Sequence, residues 1–310
     1  MSAFGKKMIS ILGVAWAAML SGCNVEDLSA LRLLPPFLAN APSSVHMESG
    51  LTYAEHDGQS LLFDLYRPVI TDEPTPLVVV VFGGGWRSGS RDQLMEFAYD
   101  LAAHGYAAAA IDYRLADGTS KFPDQVIDVL AAVEFLRENA DRFGVDPARV
   151  GLFGASAGAH LSLLAGMAED LSVFDTRFAS GQDAGINVIV NLFGPTDLTI
   201  ESSPETERQI QAVENFLGSP LDQARALRHL ASPIEYVRAD GPAVFTVHGR
   251  ADMLVPVSQA RNLIDAMATA GQEHTYIEIP GMGHTIAAIW ISFEAQSYRA
   301  AMFEFLAEHL

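Results

Sequence analysis

The chain has 310 residues, 49% hydrophobic and 18% charged, a balance that argues against disorder and suits one large α/β domain or two small ones. Its 19 basic and 38 acidic residues leave a formal charge of −19, a field that repels phosphate backbones and anionic lipid surfaces and so argues against a nucleic-acid partner. No basic run and no Cys/His spacing of metal-site type argues otherwise, so neither a metal nor a nucleic acid is expected.

Near the start, Lys6 and Lys7 precede an apolar stretch at residues 8–20, too short to span a membrane comfortably and suited to an export signal. The sequence Leu20-Ser21-Gly22-Cys23 then resembles the lipobox of bacterial lipoproteins, in which the cysteine is lipidated and becomes the mature N-terminus. Cys23 is the sole cysteine, so it cannot be half of an internal disulfide. The expectation is a signal peptide over residues 1–22 and a lipidated N-terminus and tether over 23–46, where "LLPPF" and "NAPSS" read as loop. The membrane would be met only through the anchor on Cys23. The lipobox resemblance also implies that Asn24, rather than an aspartate, directs the protein to the outer membrane of a bacterial envelope.

Residues 47–310 are expected to form one α/β domain. "LTYAEH" and "SLLFDLY" flank Asp57-Gly58 and predict a β-hairpin over 51–66, closed by Pro68. "LVVVVF" (77–82) is a continuous β-branched run, the mark of a strand buried on both faces of a parallel sheet. A helix over 91–104 stops at Gly105, and "YAAAAID" (106–112) is the next buried strand. Pro123, at a first helical position, opens a helix running to about Phe143, with Val126, Leu130 and Val133 on one face. "RVGLFGA" (149–155) is a strand and residues 156–167 a helix. "INVIVNLFG", "AVFTVHG" and "HTYIEIP" are further strands, and a helix over about 291–309 closes the chain. This alternation implies a mostly parallel sheet covered by helices on both faces, with an excursion at 195–242 acting as a partial cap.

Ser156 lies in Gly154-Ala155-Ser156-Ala157-Gly158, at the junction of a strand and a helix. A nucleophile elbow sits at such a junction, because the strained turn there tolerates only small neighbours. A serine hydroxyl needs a base, and the base needs an orienting carboxylate. Nine histidines are available. His104 falls in a helix C-terminal turn, His160 lies one turn past Ser156 and is expected to be hydrogen-bonded near the site, and His248 ends a strand. His284 follows "PGMG" after the last strand, where a glycine loop can deliver an imidazole to the sheet edge. Asp252, in "HGRADMLVP", occupies the matching position after the preceding strand; Asp197, in "FGPTDL", is the alternative acid. "FGGGW" (82–86) ends the first buried strand, so Gly84 and Gly85 are expected to form an oxyanion hole with the Ala157 N–H. Trp86 and Phe193 are expected to shape the pocket.

"FGGGWRSGS", "IDYRLA", the run from "FPDQV" to "GASAGAHL", "FLGSP", "ASPIEYV" and "HGRADMLVPVSQA" together resemble the bacterial α/β-hydrolase esterases related to hormone-sensitive lipase, nearest the branch with acetyl-xylan and feruloyl esterases. The likeness covers nearly everything after residue 50, and the order Ser156, Asp252, His284 is that of the α/β-hydrolase triad. It implies hydrolysis of small or carbohydrate-linked acyl esters through an acyl-enzyme, with no cofactor. One position departs: the family usually has histidine before the three glycines, where this chain has Phe82. That histidine supports the loop without belonging to the triad, so the departure bears on loop geometry and the acyl pocket. Prolyl-oligopeptidase relatives use the same machinery on peptides, but usually with a large extra domain for which the chain has no room. A membrane-tethered binding module on a hydrolase scaffold is the other alternative; such modules typically lose a triad member, and here all three types stand in order.

Overall fold

The computed structural model describes residues 44–56, 58–69, 71, 73–199, 206–285 and 293–310. The expected signal peptide, Cys23, and the tether up to residue 43 lie outside them. The tether expected to reach residue 46 gives way to strand pairing earlier: Val45 and His46 are already opposite Pro68 and Arg67. Among the described residues no helix is long and apolar enough to cross a membrane.

The predicted hairpin is β1 (Val45–His56) and β2 (Gln59–Pro68), antiparallel and longer than its apolar run. The buried runs become β3 (Thr75–Val81), β4 (Ala107–Ile111), β5 (Val145–Ala155) and β6 (Val188–Leu192). The last two strands are β7 (Ala243–Gly249) and β8 (His274–Ile279). They form one sheet in the order β1-β2-β4-β3-β5-β6-β7-β8, antiparallel at β1, β2 and β4 and parallel from β4 onward. β3 shows why a continuous apolar run was needed. Leu77, Val79 and Val81 enter the core on one face while Val78 and Val80 enter it on the other, each burial contributing about 1.5–3 kcal/mol.

On the first face lie α2 (Asp124–Glu138), with Val126, Val129 and Val133 inward, and α3 (Ala157–Met167), with Leu161 and Leu164 inward. On the second lie α1 (Met95–Ala103), through Phe97 and Leu101, and α6 (Phe293–His309), through Tyr298, Met302 and Leu306. The helix expected to run to Phe143 is interrupted at Asn139. Its side-chain amide donates to the Phe135 carbonyl at 2.8 Å, competing with the helical ladder, and a separate turn follows at Ala140–Phe143. Pro123 caps α2 rather than beginning it. The excursion between β6 and β7 carries α4 (Glu207–Leu217), started by a capping box between Thr206 and Gln209. After β7, α5 (Ser258–Ala270) returns the chain to β8.

Candidate active site

The expected catalytic and oxyanion residues follow the carboxyl ends of parallel strands: Gly84 and Gly85 after β3, Ser156 and Ala157 after β5, Asp252 after β7 and His284 after β8. In an open α/β sheet this edge is where a ligand crevice forms. Ser156 takes φ 54° and ψ −122°, a region that L-residues rarely occupy, and its N–H is held by the Leu192 carbonyl at 2.8 Å. The flanking glycines permit this turn. A Cβ on Gly158 would lie 2.1 Å from the Val81 carbonyl oxygen, and one on Gly154 would lie 2.4 Å from that of Gly158. No larger residue fits between β3 and α3.

The loops after β7 and β8 are stitched together before either side chain is considered. Arg250 N donates to the Ile279 carbonyl and Ala251 N to the Met282 carbonyl, both at 3.0 Å. His284 is thereby set beside Asp252 and Ser156. The Ser156 hydroxyl lies 2.8 Å from His284 Nε2, and His284 Nδ1 lies 2.7 Å from Asp252 Oδ2. An ionised carboxylate only accepts, so Nδ1 carries the proton and Nε2 is left to accept from the hydroxyl. Asp252 Oδ1 accepts from the backbone N–H groups of Leu254 and Val255, each at 2.9 Å. Burial raises the Asp252 carboxyl, but hydrogen bonds from His248 and His284, and then from Val255 N, outweigh it and hold the group well below the usual carboxylate range. Phe193, at φ 44°, meets the His284 imidazole in an edge-to-face arrangement with 4.8 Å between centroids. Asp197 is engaged elsewhere, its carboxylate accepting from Thr199 N at 2.8 Å within its own loop.

The glycine loop runs directly along the serine turn. A Cβ on Gly83 would stand 2.8 Å from the Ala155 carbonyl and 3.2 Å from Ser156 Cβ, so the close approach begins one residue before the two glycines singled out from sequence. Gly84, at φ 114°, turns the chain so that its carbonyl accepts from Ser88 N and Oγ at 3.2 and 3.0 Å. Gly85, at φ 60°, has open space where a side chain would be. Ala157 opens α3, a helix end where backbone N–H groups favour negative charge. Phe82, in place of the family's histidine, is buried and stacks on Tyr113 at 4.2 Å, while Tyr113 OH donates to the Phe82 carbonyl at 3.2 Å. The loop is thus supported by ring packing.

Trp86 closes the loop in a left-handed conformation, φ 60°. Its indole N–H donates to His160 Nδ1 at 3.2 Å, and His160 Nε2–H donates to the Ala231 carbonyl at 2.8 Å. Trp86 also stacks on Phe216 of α4 at 4.5 Å. His160 is therefore hydrogen-bonded near the site, as its spacing from Ser156 suggested. Among the described residues no group of three His, Cys, Asp or Glu side chains is placed to hold a metal ion.

A family model described as BD-FAE matches residues 63–267. The chain belongs to the BD-FAE family. This BD-FAE member is 32% identical over 232 residues to Esterase LipC of Mycobacterium tuberculosis, covering 74% of this chain and 57% of LipC. It thus spans somewhat more than half the length of that relative. Among solved structures it resembles a truncated carbohydrate esterase from gut microbiota, with a TM-score of 0.69, 25% identity, and coverage of 85% and 96% of the two chains. Esterase 2 of Thermogutta terrifontis, phosphonylated by sarin, aligns with a TM-score of 0.71 at 26% identity, covering 86% of this chain and 96% of that one. The α/β-hydrolase fold and esterase family expected from the motifs therefore hold for this BD-FAE chain.

Proposed function

We propose that the protein is a serine hydrolase of carboxylic esters, with Ser156 as nucleophile, His284 as general base and acid, and Asp252 as the group that orients His284. The observation that carries this reading is the unbroken path Ser156 Oγ to His284 Nε2 at 2.8 Å and His284 Nδ1 to Asp252 Oδ2 at 2.7 Å. Ser156 Oγ attacks the ester carbonyl carbon as its proton passes to His284 Nε2. Backbone N–H groups of Gly84, Gly85 and Ala157 receive the developing oxyanion, each such donor being worth about 3 kcal/mol of barrier. The carbonyl re-forms, the C–O bond to the alcohol breaks, and His284 returns the proton to the leaving alcohol. Water, deprotonated by His284, then attacks the acyl-enzyme and releases the acid and free Ser156.

The LipC name and the phosphonylated esterase 2 support an organophosphate-sensitive esterase. The carbohydrate esterase likeness supports small acyl groups on a sugar alcohol as substrates. The test is purified protein against acetyl, butyryl, feruloyl and longer-chain esters, with Ser156→Ala alongside. Hydrolysis should fall off with acyl length and disappear in the variant. Equal rates for both proteins would refute the assignment.

We further propose that Cys23 is acylated and anchors the enzyme in the bacterial cell envelope, on the outer membrane. Support comes from Lys6, Lys7, the apolar stretch at 8–20 and the lipobox-like Leu20-Ser21-Gly22-Cys23. Cys23→Ala should abolish incorporation of radiolabelled palmitate; a labelled variant would overturn the anchor.

A further inference from the structure

The His248 ring lies against the proposed triad at Asp252, and the mechanism does not use it. It is the sixth residue of β7, and its side chain is fully buried, as is that of Asp252. Its Nε2 lies 2.8 Å from the Val255 carbonyl oxygen and 3.5 Å from Asp252 Oδ2. Both of those atoms only accept, so Nε2 carries the proton, with the carbonyl as its main acceptor and the carboxylate as the weaker branch. The ring's other nitrogen, Nδ1, is buried and has no hydrogen-bond partner among the described residues. Burying an unpaired acceptor is unfavourable, because the water it gives up is not replaced. An apolar side chain of similar shape would avoid that cost, so what the imidazole contributes lies at Nε2.

Val255 links that nitrogen to the chemistry. The residue whose carbonyl accepts from His248 is the residue whose N–H donates to Asp252 Oδ1 at 2.9 Å. His248 therefore closes the turn over residues 252–255 from beneath, while the Leu254 and Val255 amides grip one carboxylate oxygen and leave Oδ2 facing His284. Gln209 of α4 donates to the Leu254 carbonyl at 2.6 Å and holds the same turn from the excursion side. Asp252 is tied to this turn through Oδ1, so the position of the turn sets where Oδ2 faces His284 Nδ1.

Resting on the serine-hydrolase reading, we propose that His248 is a positioning residue for that reaction, fixing the Asp252 carboxylate through the Val255 peptide. It acts on the transition state, where His284 must carry the proton in one orientation, and makes no contact that binds the ester.

The test compares His248→Leu, His248→Gln and His248→Asn on p-nitrophenyl acetate. Gln places a donor N–H where Nε2 was, whereas Asn places it near Nδ1, where there is nothing to bond. The expected result is a loss of about 10²-fold in kcat with KM unchanged for Leu and Asn, and recovery of most of kcat for Gln. Leu at the wild-type rate, or Gln and Asn behaving alike, would overturn the proposal. A measurement on the wild-type protein does not depend on any variant folding: 15N-histidine NMR should show the His248 proton on Nε2, and a proton on Nδ1 would overturn it. Full loss of activity in Ser156→Ala, with His248→Leu unimpaired, would remove this inference and leave the serine-hydrolase reading standing.

Discussion

At Ser156, the positive φ exists because α3 is drawn close to the end of β3, and Gly158 sets that closeness. A methyl there would lie 2.1 and 2.3 Å from the carbonyl oxygens of Val81 and Phe82. Gly158→Ala should therefore cost about 1–3 kcal/mol and move the serine out of line, lowering both the melting temperature and fluorophosphonate labelling; unchanged values for both would contradict this packing. His160, three residues on from Ala157, makes a separate prediction. Burial pushes its imidazole down to about 4, its hydrogen bond to Ala231 opposing the shift, whereas an unfolded histidine titrates at about 6.5. Between those values the unfolded chain binds more protons, so stability falls as pH drops through the window, by roughly 3 kcal/mol in all. Denaturant unfolding at pH 7 and pH 4.5 should show a smaller difference for His160→Gln than for the wild type; an undiminished difference would place the effect elsewhere.

Among the elements, the excursion after β6 meets the glycine loop in an aromatic stack. Phe216 of α4 meets Trp86 at 4.5 Å and Phe122 at 5.4 Å, and it is fully buried. Phe216→Ala should cost about 3–5 kcal/mol and loosen Trp86, so kcat/KM measured well below the melting temperature should fall as well. A purely thermal defect would show that the loop stands without α4. These contacts were not legible in the sequence. "FGGGW" and the strand–helix junction at Ser156 could be read because turn chemistry is local, and the run at 77–82 because burial on both faces leaves an unbroken apolar pattern. The Trp86–Phe216 stack joins residues 130 positions apart with no periodicity to mark it. His248 was legible only as the end of a strand. Its spacing of four from Asp252 was visible, but the turn that brings Val255 over it was not. Phe82 was legible as a departure from the family, while its replacement by stacking on Tyr113 needed the fold.

For the whole molecule, the three proposed reacting groups come from strands β5, β7 and β8, which share one edge because the sheet is parallel there. The chain order Ser156, Asp252, His284 was readable; that β6 alone separates β5 from β7 was not, since strand pairing is non-local. The net charge of −19 acts at this scale too. A polyanionic ester should show a KM that falls as ionic strength rises, because salt screens the repulsion, while a neutral ester should show none of this. Equal salt responses for the two would contradict the steering effect. The proposed triad is tested most directly by fluorophosphonate labelling of wild type and Ser156→Ala, read with p-nitrophenyl acetate turnover. One label per wild-type chain is expected, none in the variant, and a rate loss on the order of 10⁶-fold. A variant that still labels, or still shows a burst of p-nitrophenol, would contradict Ser156 as the nucleophile.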